Sequence, residues 1–180
     1  MKILAFAASN SLVSINNQLI QYAVNELQQL LPSAEIEIIH LSDYEIPFYR
    51  PDREQESGVP EQAKVFYEKI GAADALLISF AEHNGSYAAV YKNLFDWTSR
   101  IDVKVFQLKP TVLLSSSPGR GGAGNVLKQA INSAPHFGME ILATASLPSF
   151  NHSFDKDKVV VTDTEHKQDI DNALKTFTTI

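Results

Sequence analysis

The chain has 180 residues, 44% of them hydrophobic and 20% charged, a composition typical of a soluble globular protein with one substantial core. A formal net charge of −6 argues against general binding to nucleic-acid phosphates, and the absence of cysteine excludes disulfides, thiolate catalysis and cysteine-ligated metals. No stretch approaches the roughly 18 apolar residues of a membrane span, so we expect a cytoplasmic protein with neither nucleic-acid nor membrane partners.

Short apolar runs alternate with segments of helical periodicity along the whole chain. The runs predict strands over residues 3–8, 35–41, 74–80, 110–116 and 138–143. The periodic segments predict helices that end near residues 31, 72, 101, 137 and 176, and Asn16 or Asn17 is the expected cap of the first helix. Residues 42–59, which contain two prolines and a glycine, are predicted to form a long loop.

This alternation predicts an α/β fold in three layers, with helices on both faces of a five-stranded parallel sheet. The expected strand order is the flavodoxin-like 2-1-3-4-5, and residues 1–180 are expected to form a single domain. In that order the loops after strands 1, 3 and 4 lie at one edge of the sheet, beside the switch point where open α/β sheets bind ligands. All three loops are rich in Ser, Asn and Gly.

The loop after strand 1 carries hydroxyl and amide groups directly before a helix, at Ser9, Asn10, Ser11, Ser14 and Asn16. Backbone N–H groups and the helix dipole make such a place suitable for an anion, best a phosphate. Capping of the helix alone is the alternative explanation for the same residues.

A polar elbow follows strand 3 and contains Glu82, His83, Asn84, Gly85 and Ser86. Its small side chains and backbone N–H groups suit the edge of a flat polar ring. His83 is either a ligand contact or an ordinary loop histidine. Glu82 is either a general base or a carboxylate that makes local hydrogen bonds at the start of a helix.

The loop after strand 4 contains a G-x-G-x-x-G pattern at Gly119, Gly121 and Gly124. A dinucleotide-fold interpretation is weakened because the pattern follows the fourth strand and the acidic residue expected after the next strand is missing. A backbone that approaches a planar ligand fits better, and glycines that satisfy positive φ are the alternative. The serines nearby lack the G-x-S-x-G of a hydrolase elbow.

Together these loops resemble the NAD(P)H-dependent FMN reductase family, which includes chromate- and quinone-reducing flavoproteins and some azoreductases. The resemblance runs from residue 1 to about 143. The family opens with the motif G-S-x-R-x-x-S-x-N, and here Ala8 and Ser11 replace its glycine and its arginine. The positions that match the three motifs are Ser9, Ser14 and Asn16; Glu82, Asn84, Ser86, Lys92, Asn93, Asp96 and Trp97; and Ser117, Gly119 and Gly122.

The resemblance implies an oxidoreductase in which FMN takes hydride from the co-substrate NAD(P)H and reduces a quinone or similar small molecule, without a catalytic side chain or a metal. It also implies a homodimer or homotetramer, in which Tyr44, Phe48, Tyr49 and Trp97 either cover a partner's site or simply pack in their own chain. The implied FMN-binding residues are Ser9, Ser11, Ser14, Ile15 and Asn16 at the phosphate; Glu82, His83, Asn84, Gly85 and Ser86 at one ring edge; and Ser117, Gly119, Gly121 and Gly122 on the other side.

Two alternatives to a reductase remain open at this point. One is a flavodoxin-like electron carrier, which would bind flavin without consuming NAD(P)H. The other is a degenerate member of the family that binds flavin weakly or not at all, an alternative motivated by Ala8 and Ser11.

Overall fold

The computed structural model describes all 180 residues. Its strands are β1 (Lys2–Ala8), β2 (Glu35–His40), β3 (Ala75–Phe80), β4 (Glu82–His83), β5 (Ser86–Tyr87), β6 (Lys109–Ser116), β7 (Met139–Leu147), β8 (Phe154–Asp155) and β9 (Val160–Val161). The five long strands form one parallel sheet in the order β2-β1-β3-β6-β7, and the short ones form two hairpins. Without the hairpin strands this is the predicted order 2-1-3-4-5, so the expected flavodoxin-like fold is confirmed.

Helices cover both faces of the sheet because its central strands alternate apolar side chains toward either side. The helices are α1 (Ile15–Leu30), α2 (Pro51–Ser57), α3 (Glu61–Ala72), α4 (Ala89–Thr98), α5 (Gly124–Ser133), α6 (Phe150–Ser153) and α7 (Thr164–Lys175). From β1, Ile3 and Ala5 pack under α1 and α7, whereas Leu4 and Phe6 pack under α3, α4 and α5. None of these helices combines the length and apolar character needed to cross a bilayer.

Several boundaries differ from the sequence-based expectations. Residues 42–59 are not all loop, because they contain α2, whose residues are all at least partly exposed and therefore leave no apolar periodicity to detect. Ser14, rather than Asn16 or Asn17, caps α1 through its Oγ, which accepts a hydrogen bond from the backbone N of Asn17 at 3.3 Å. Strand β7 continues past residue 143 to Leu147, after a register shift opposite Thr111 and Val112.

Asn16 connects the first turn of α1 to two strands of the sheet. Its side chain is 2% exposed. Its Nδ2 donates to the carbonyl oxygen of Ser116 on β6 at 3.2 Å, and its Oδ1 accepts from Ser79 Oγ on β3 at 2.8 Å. A buried amide satisfied in this way sets the position of the helix start relative to the strand ends.

We expect Asn16→Ala to lower the free energy of unfolding by about 2–4 kcal/mol, because it removes two buried hydrogen bonds and leaves a carbonyl and a hydroxyl without partners. Asn17→Ala is the matched control, since the Asn17 side chain makes no hydrogen bond, and should change stability by no more than about 0.5 kcal/mol. Urea denaturation of both variants measures the difference. Equal losses would contradict this role of Asn16.

Candidate functional site

Three loops leave the sheet at one level of its carboxyl edge. Ala8 of β1 lies opposite Phe80 of β3, and Phe80 lies opposite Ser115 of β6, so the three strands end in register. We call the segments that follow the serine loop (residues 9–14), the elbow hairpin (82–87) and the glycine loop (117–123). The structure therefore brings together the three segments that carry the sequence-predicted site residues.

The serine loop presents a set of unused hydrogen-bond donors. Ser9 and Ser14 are buried, and their Oγ atoms accept from the backbone N of Ser11 at 3.2 Å and of Asn17 at 3.3 Å, which leaves both O–H groups free to donate. Ser11 itself is exposed. Backbone N–H groups without an acceptor are those of Asn10, Leu12, Val13, Ile15 and Asn16.

No formal positive charge accompanies these donors. Residues 3–49 contain neither lysine nor arginine, so the serine loop and α1 offer only N–H groups, hydroxyls and the positive end of a 16-residue helix. Such a site can hold an anion through dipoles. The side chain of Asn16 does not contribute directly, because both of its polar atoms are bound inside the protein.

The elbow is a two-residue β-hairpin. Asn84 and Gly85 occupy the turn with φ of 51° and 76°, both positive, as a type I′ turn requires. A Cβ atom added at Gly85 would meet nothing within 4 Å, so the tip of the turn faces open space. Asn-Gly is the favoured sequence for this turn, a signal that the sequence contains but that the elbow prediction did not use.

Glu82 fixes the hairpin to the next helix along the sheet. Its carboxylate accepts from the backbone N of Val126 at 2.9 Å and from Asn125 Nδ2 at 3.2 Å, at the amino end of α5. This is helix capping by a residue distant in sequence, and it favours the hydrogen-bonding interpretation of Glu82 over general-base catalysis. Ser86 Oγ donates to Gln129 Oε1 of α5 at 3.1 Å.

The glycine loop is held by its carbonyl groups. The carbonyl oxygen of Gly122 accepts from Ser115 Oγ at 2.8 Å and from Ser146 Oγ at 2.7 Å. Gly122 has a φ of +57°, and a Cβ atom there would lie 2.1 Å from Ser146 Oγ. Gly119 and Gly121 lack a positive φ and have no atom closer than 4.0 Å to such a Cβ. The requirement for a positive φ thus explains why residue 122 is glycine. It does not explain Gly119 or Gly121, where the alternative is the close approach of a ligand.

A cleft of about 490 Å³ lies between the elbow hairpin and a strap formed by residues 44–50. Asn10, His83 and Phe48 line it, and Phe48 is 73% exposed. Asn93 holds the strap: its Oδ1 accepts from the backbone N of Tyr49 at 2.8 Å, and its Nδ2 donates to the carbonyl oxygen of Pro47 at 3.2 Å.

Trp97 shares this task, since its Nε1 donates to the carbonyl oxygen of Pro47 at 2.7 Å and its ring meets that of Tyr49 edge-on at 5.0 Å. Trp97 and Tyr44 are 0% and 5% exposed, so both pack in the core of their own chain. Of the four aromatic residues considered for a partner's site, Phe48 is the most exposed. The motif positions Asn93 and Trp97 therefore serve to position the strap, a role that sequence reasoning missed.

Tyr44 lines the cleft, Tyr87 belongs to the elbow hairpin and Tyr91 to α4, and all three phenols are poor proton donors. Burial, with smaller contributions from Glu37 and Asp43, raises the pKa of Tyr44 to about 12. Burial also raises the pKa of Tyr87 and Tyr91 above the ordinary value for tyrosine. These hydroxyls stay protonated at neutral pH, so the site offers hydrogen bonds and apolar surface but no phenol poised for acid–base catalysis.

Comparison with known proteins gives a consistent picture. The family model described as NADPH-dependent FMN reductase matches residues 1–152. The NAD(P)H-dependent FMN reductase of Pseudomonas aeruginosa is 37% identical over 122 residues, which are 68% of this chain and 63% of that protein. The quinone reductase of Escherichia coli K12 is 38% identical over 80 residues, 44% of this chain and 43% of the relative. The matches therefore span less than two thirds of these relatives' length.

Solved structures share the fold at low sequence identity. The flavoenzyme NAD(P)H:(acceptor) oxidoreductase of Paracoccus denitrificans superposes with a TM-score of 0.71 at 24% identity and covers 98% of this chain and 94% of its own. An FMN-dependent NADH-azoreductase from Bacillus anthracis, solved in complex with FMN, gives a TM-score of 0.71 at 13% identity, with coverage of 98% and 99%. These likenesses confirm the architecture.

The glycine loop provides a direct test of its own geometry. We expect Gly122→Ala to destabilise the protein by about 1–3 kcal/mol, because an L side chain is strained at this φ and its Cβ would displace Ser146. Gly121→Ala is the control, since its Cβ would point into open space without positive φ, and should be neutral within about 0.5 kcal/mol. Thermal and urea unfolding measure both. A neutral Gly122→Ala would show that the loop is not held as described.

Proposed function

Because this chain belongs to the NADPH-dependent FMN reductase family, we propose that it is an NAD(P)H-dependent flavoprotein oxidoreductase that binds FMN in one domain. The observation that carries the proposal is the set of unpaired N–H and O–H donors at the start of α1, beside two loops with open space for a flat ring. The chemistry that FMN supplies when bound is acceptance of hydride from the nicotinamide and delivery of electrons to an acceptor.

The serine loop suits the phosphate of FMN. The phosphate carries about −1.5 to −2 charges at neutral pH and offers three acceptor oxygens. The N–H groups of Ile15 and Asn16 and the hydroxyls of Ser9, Ser11 and Ser14 are available to donate to them. Hydrogen bonds to a charged group contribute about 1.5–3 kcal/mol each, so a few of them hold the phosphate without a cation.

The elbow hairpin and the glycine loop suit the two sides of the ring. Glu82 ties the hairpin to α5, so the hairpin has a defined position relative to that helix. Its residues His83, Asn84, Gly85 and Ser86 present backbone groups to the proposed ring site. Opposite them, Ser117, Gly119, Gly121 and Gly122 form a loop whose carbonyls are largely bound inside the protein and whose open side has room for a close approach. Glu82 and Asn16 are positioning residues in this arrangement.

We further propose a small-molecule acceptor of the quinone class, supported by the family and by the relatives named quinone reductase. A homodimer or homotetramer in the cytoplasm is part of the same proposal. Self-association is supported by the exposure of three apolar side chains on the serine loop and the strap: Leu12, Val13 and Phe48 are 91%, 82% and 73% exposed.

The visible spectrum of the purified protein tests this function. A reductase shows flavin bands that bleach on anaerobic addition of NADPH or NADH and return when a quinone is added. Flavin bands that persist with both nucleotides would instead indicate an electron carrier. A colourless protein that ignores added FMN would overturn FMN binding altogether.

Restoring the arginine of the family motif tests the position of the phosphate. We expect Ser11→Arg to lower the Kd for FMN about tenfold, because a guanidinium adds one charge-assisted hydrogen bond at an exposed position. The gain should shrink as ionic strength rises.

Ser57→Arg adds the same charge at the exposed end of α2, far along the chain from the serine loop, and serves as the control. Quenching of free FMN fluorescence measures each Kd. If both variants gain equally, the phosphate does not lie beside residue 11.

A further inference from the structure

Arg120 differs from the other arginines of this chain. Arg50 pairs with Asp52 at 2.9 Å, Arg100 with Glu54 at 3.0 Å, and Arg53 donates to the carbonyl oxygen of Phe48. The Arg120 side chain makes no ion pair and no hydrogen bond. It is also the single lysine or arginine on the serine loop, the elbow hairpin and the glycine loop taken together. A free guanidinium beside a ligand site is available for an anionic ligand.

The loop holds Arg120 in a fixed place. On one side of it, the carbonyl oxygen of Gly119 accepts from the backbone N of Ser149 at 2.9 Å. On the other side, the carbonyl of Gly122 is bound by two serine hydroxyls, at 2.8 and 2.7 Å. Because the flanking backbone is bound on both sides, little ordering of the loop is required when Arg120 binds a partner.

Two adjoining clefts of about 540 and 580 Å³ meet at Arg120. Both are lined by Arg120, Pro148 and His166, and the smaller one also by His152 and Ser149. The Arg120 guanidinium, the ring N–H of His152 and the Ser149 hydroxyl provide donors for an oxyanion. No residue of the serine loop lines either cleft, so this is a place separate from the proposed FMN phosphate site.

The carboxylates nearby do not neutralise Arg120. Asp163 caps α7 and accepts from the backbone N of His166 at 3.0 Å, with its Oδ1 also 2.7 Å from His166 Nδ1, and these bonds lower the pKa of Asp163. The Nδ1–H of His166 donates to Asp163, so Nε2 of the neutral ring is an acceptor and the ring is not among the donors. Asp169 lines the larger cleft and Asp163 the smaller one, and neither forms an ion pair with Arg120.

We propose that Arg120, with His152 and Ser149, binds a phosphate group of the nicotinamide co-substrate. This inference rests on the proposed function, which requires NAD(P)H at the flavin. Gly119 and Gly121 are proposed to contact the ring, and they also line the smaller and the larger cleft, respectively. A dinucleotide whose nicotinamide lies over the ring can therefore reach Arg120 with its phosphate groups. Both phosphate sources of the co-substrate, the pyrophosphate and the 2′-phosphate of NADPH, share this chemistry.

Steady-state kinetics of FMN-loaded Arg120→Ala, Arg120→Lys and the control Lys64→Ala test the inference. Lys64 is exposed on α3, outside the glycine loop, and its replacement by alanine removes the same unit charge. We expect Arg120→Ala to raise KM for NADPH about tenfold with little change in kcat, because it removes uniform binding. Arg120→Lys should give a smaller rise, and Lys64→Ala none. A rise with NADPH alone assigns the 2′-phosphate, and an equal rise with NADH assigns the pyrophosphate.

A binding measurement separates this inference from catalysis. Calorimetric titration with 2′,5′-ADP and 5′-ADP should show weaker binding of at least one of them to Arg120→Ala than to wild type or Lys64→Ala. Unchanged binding and unchanged KM, in a protein whose flavin still bleaches with NADPH, would overturn the role of Arg120 and leave the reductase function intact. Loss of FMN from Arg120→Ala would overturn it as well, because Arg120 would then belong to the FMN site.

Discussion

The buried side-chain amide of Asn16 is the contact on which the geometry of the site depends. It binds β6 through the carbonyl of Ser116 and β3 through the hydroxyl of Ser79, so the helix that follows β1 is tied to the next two strands on one side of the sheet. Because the side chain is satisfied inside the protein, the backbone N–H of the same residue is left at the helix start without an acceptor. Asn16 thus fixes the position of the N–H donors at the start of α1 relative to the strand ends, and its own backbone N–H is one of these donors. Glu82 has a similar positioning role, since it joins the elbow hairpin to α5.

Beneath the loops, the ends of the central strands carry serines in place of bulky apolar residues. Ser79, Ser115 and Ser116 are at most 1% exposed, and each hydroxyl donates to a protein oxygen: Asn16 Oδ1, the carbonyl of Gly122 and the carbonyl of Leu147. Small hydrogen-bonded side chains let the loops lie close to the sheet without unsatisfied polar groups. These hydrogen bonds fix the strand ends beside which the serine loop and the glycine loop lie. Fixed loops matter for the proposed function, because the protein's contribution to flavin chemistry is the orientation of bound groups.

The sheet order could be predicted from the sequence because five apolar runs of strand length alternate with helical segments, and right-handed crossovers leave few ways to join them. The same pattern places the three polar loops at one edge. Local signals fail where a contact spans long stretches of chain: Asn16 and Ser116 are 100 residues apart, and Glu82 and Val126 are 44 apart. Helix α2 buries none of its residues, so its sequence has no apolar periodicity from which a helix could be predicted. The motif residues Asn93 and Trp97 were identifiable by resemblance, but their strap partners are visible only in three dimensions.

The distribution of charge suggests a division between the two proposed phosphate sites. From residue 3 to residue 49 no lysine or arginine occurs, so a phosphate at the serine loop is held by N–H and O–H dipoles that are fixed by the fold and weakly screened by salt. Such a site suits a cofactor that stays bound, since its donors are already in place and need no side-chain ordering. Arg120 is a single charge at an exposed position, where electrostatic attraction is longer in range, more sensitive to salt and individually weak. Those properties suit a co-substrate that must arrive and leave in every turnover. The proposed flavin site therefore keeps its N–H and O–H dipoles although serine stands at position 11, where the family motif has arginine.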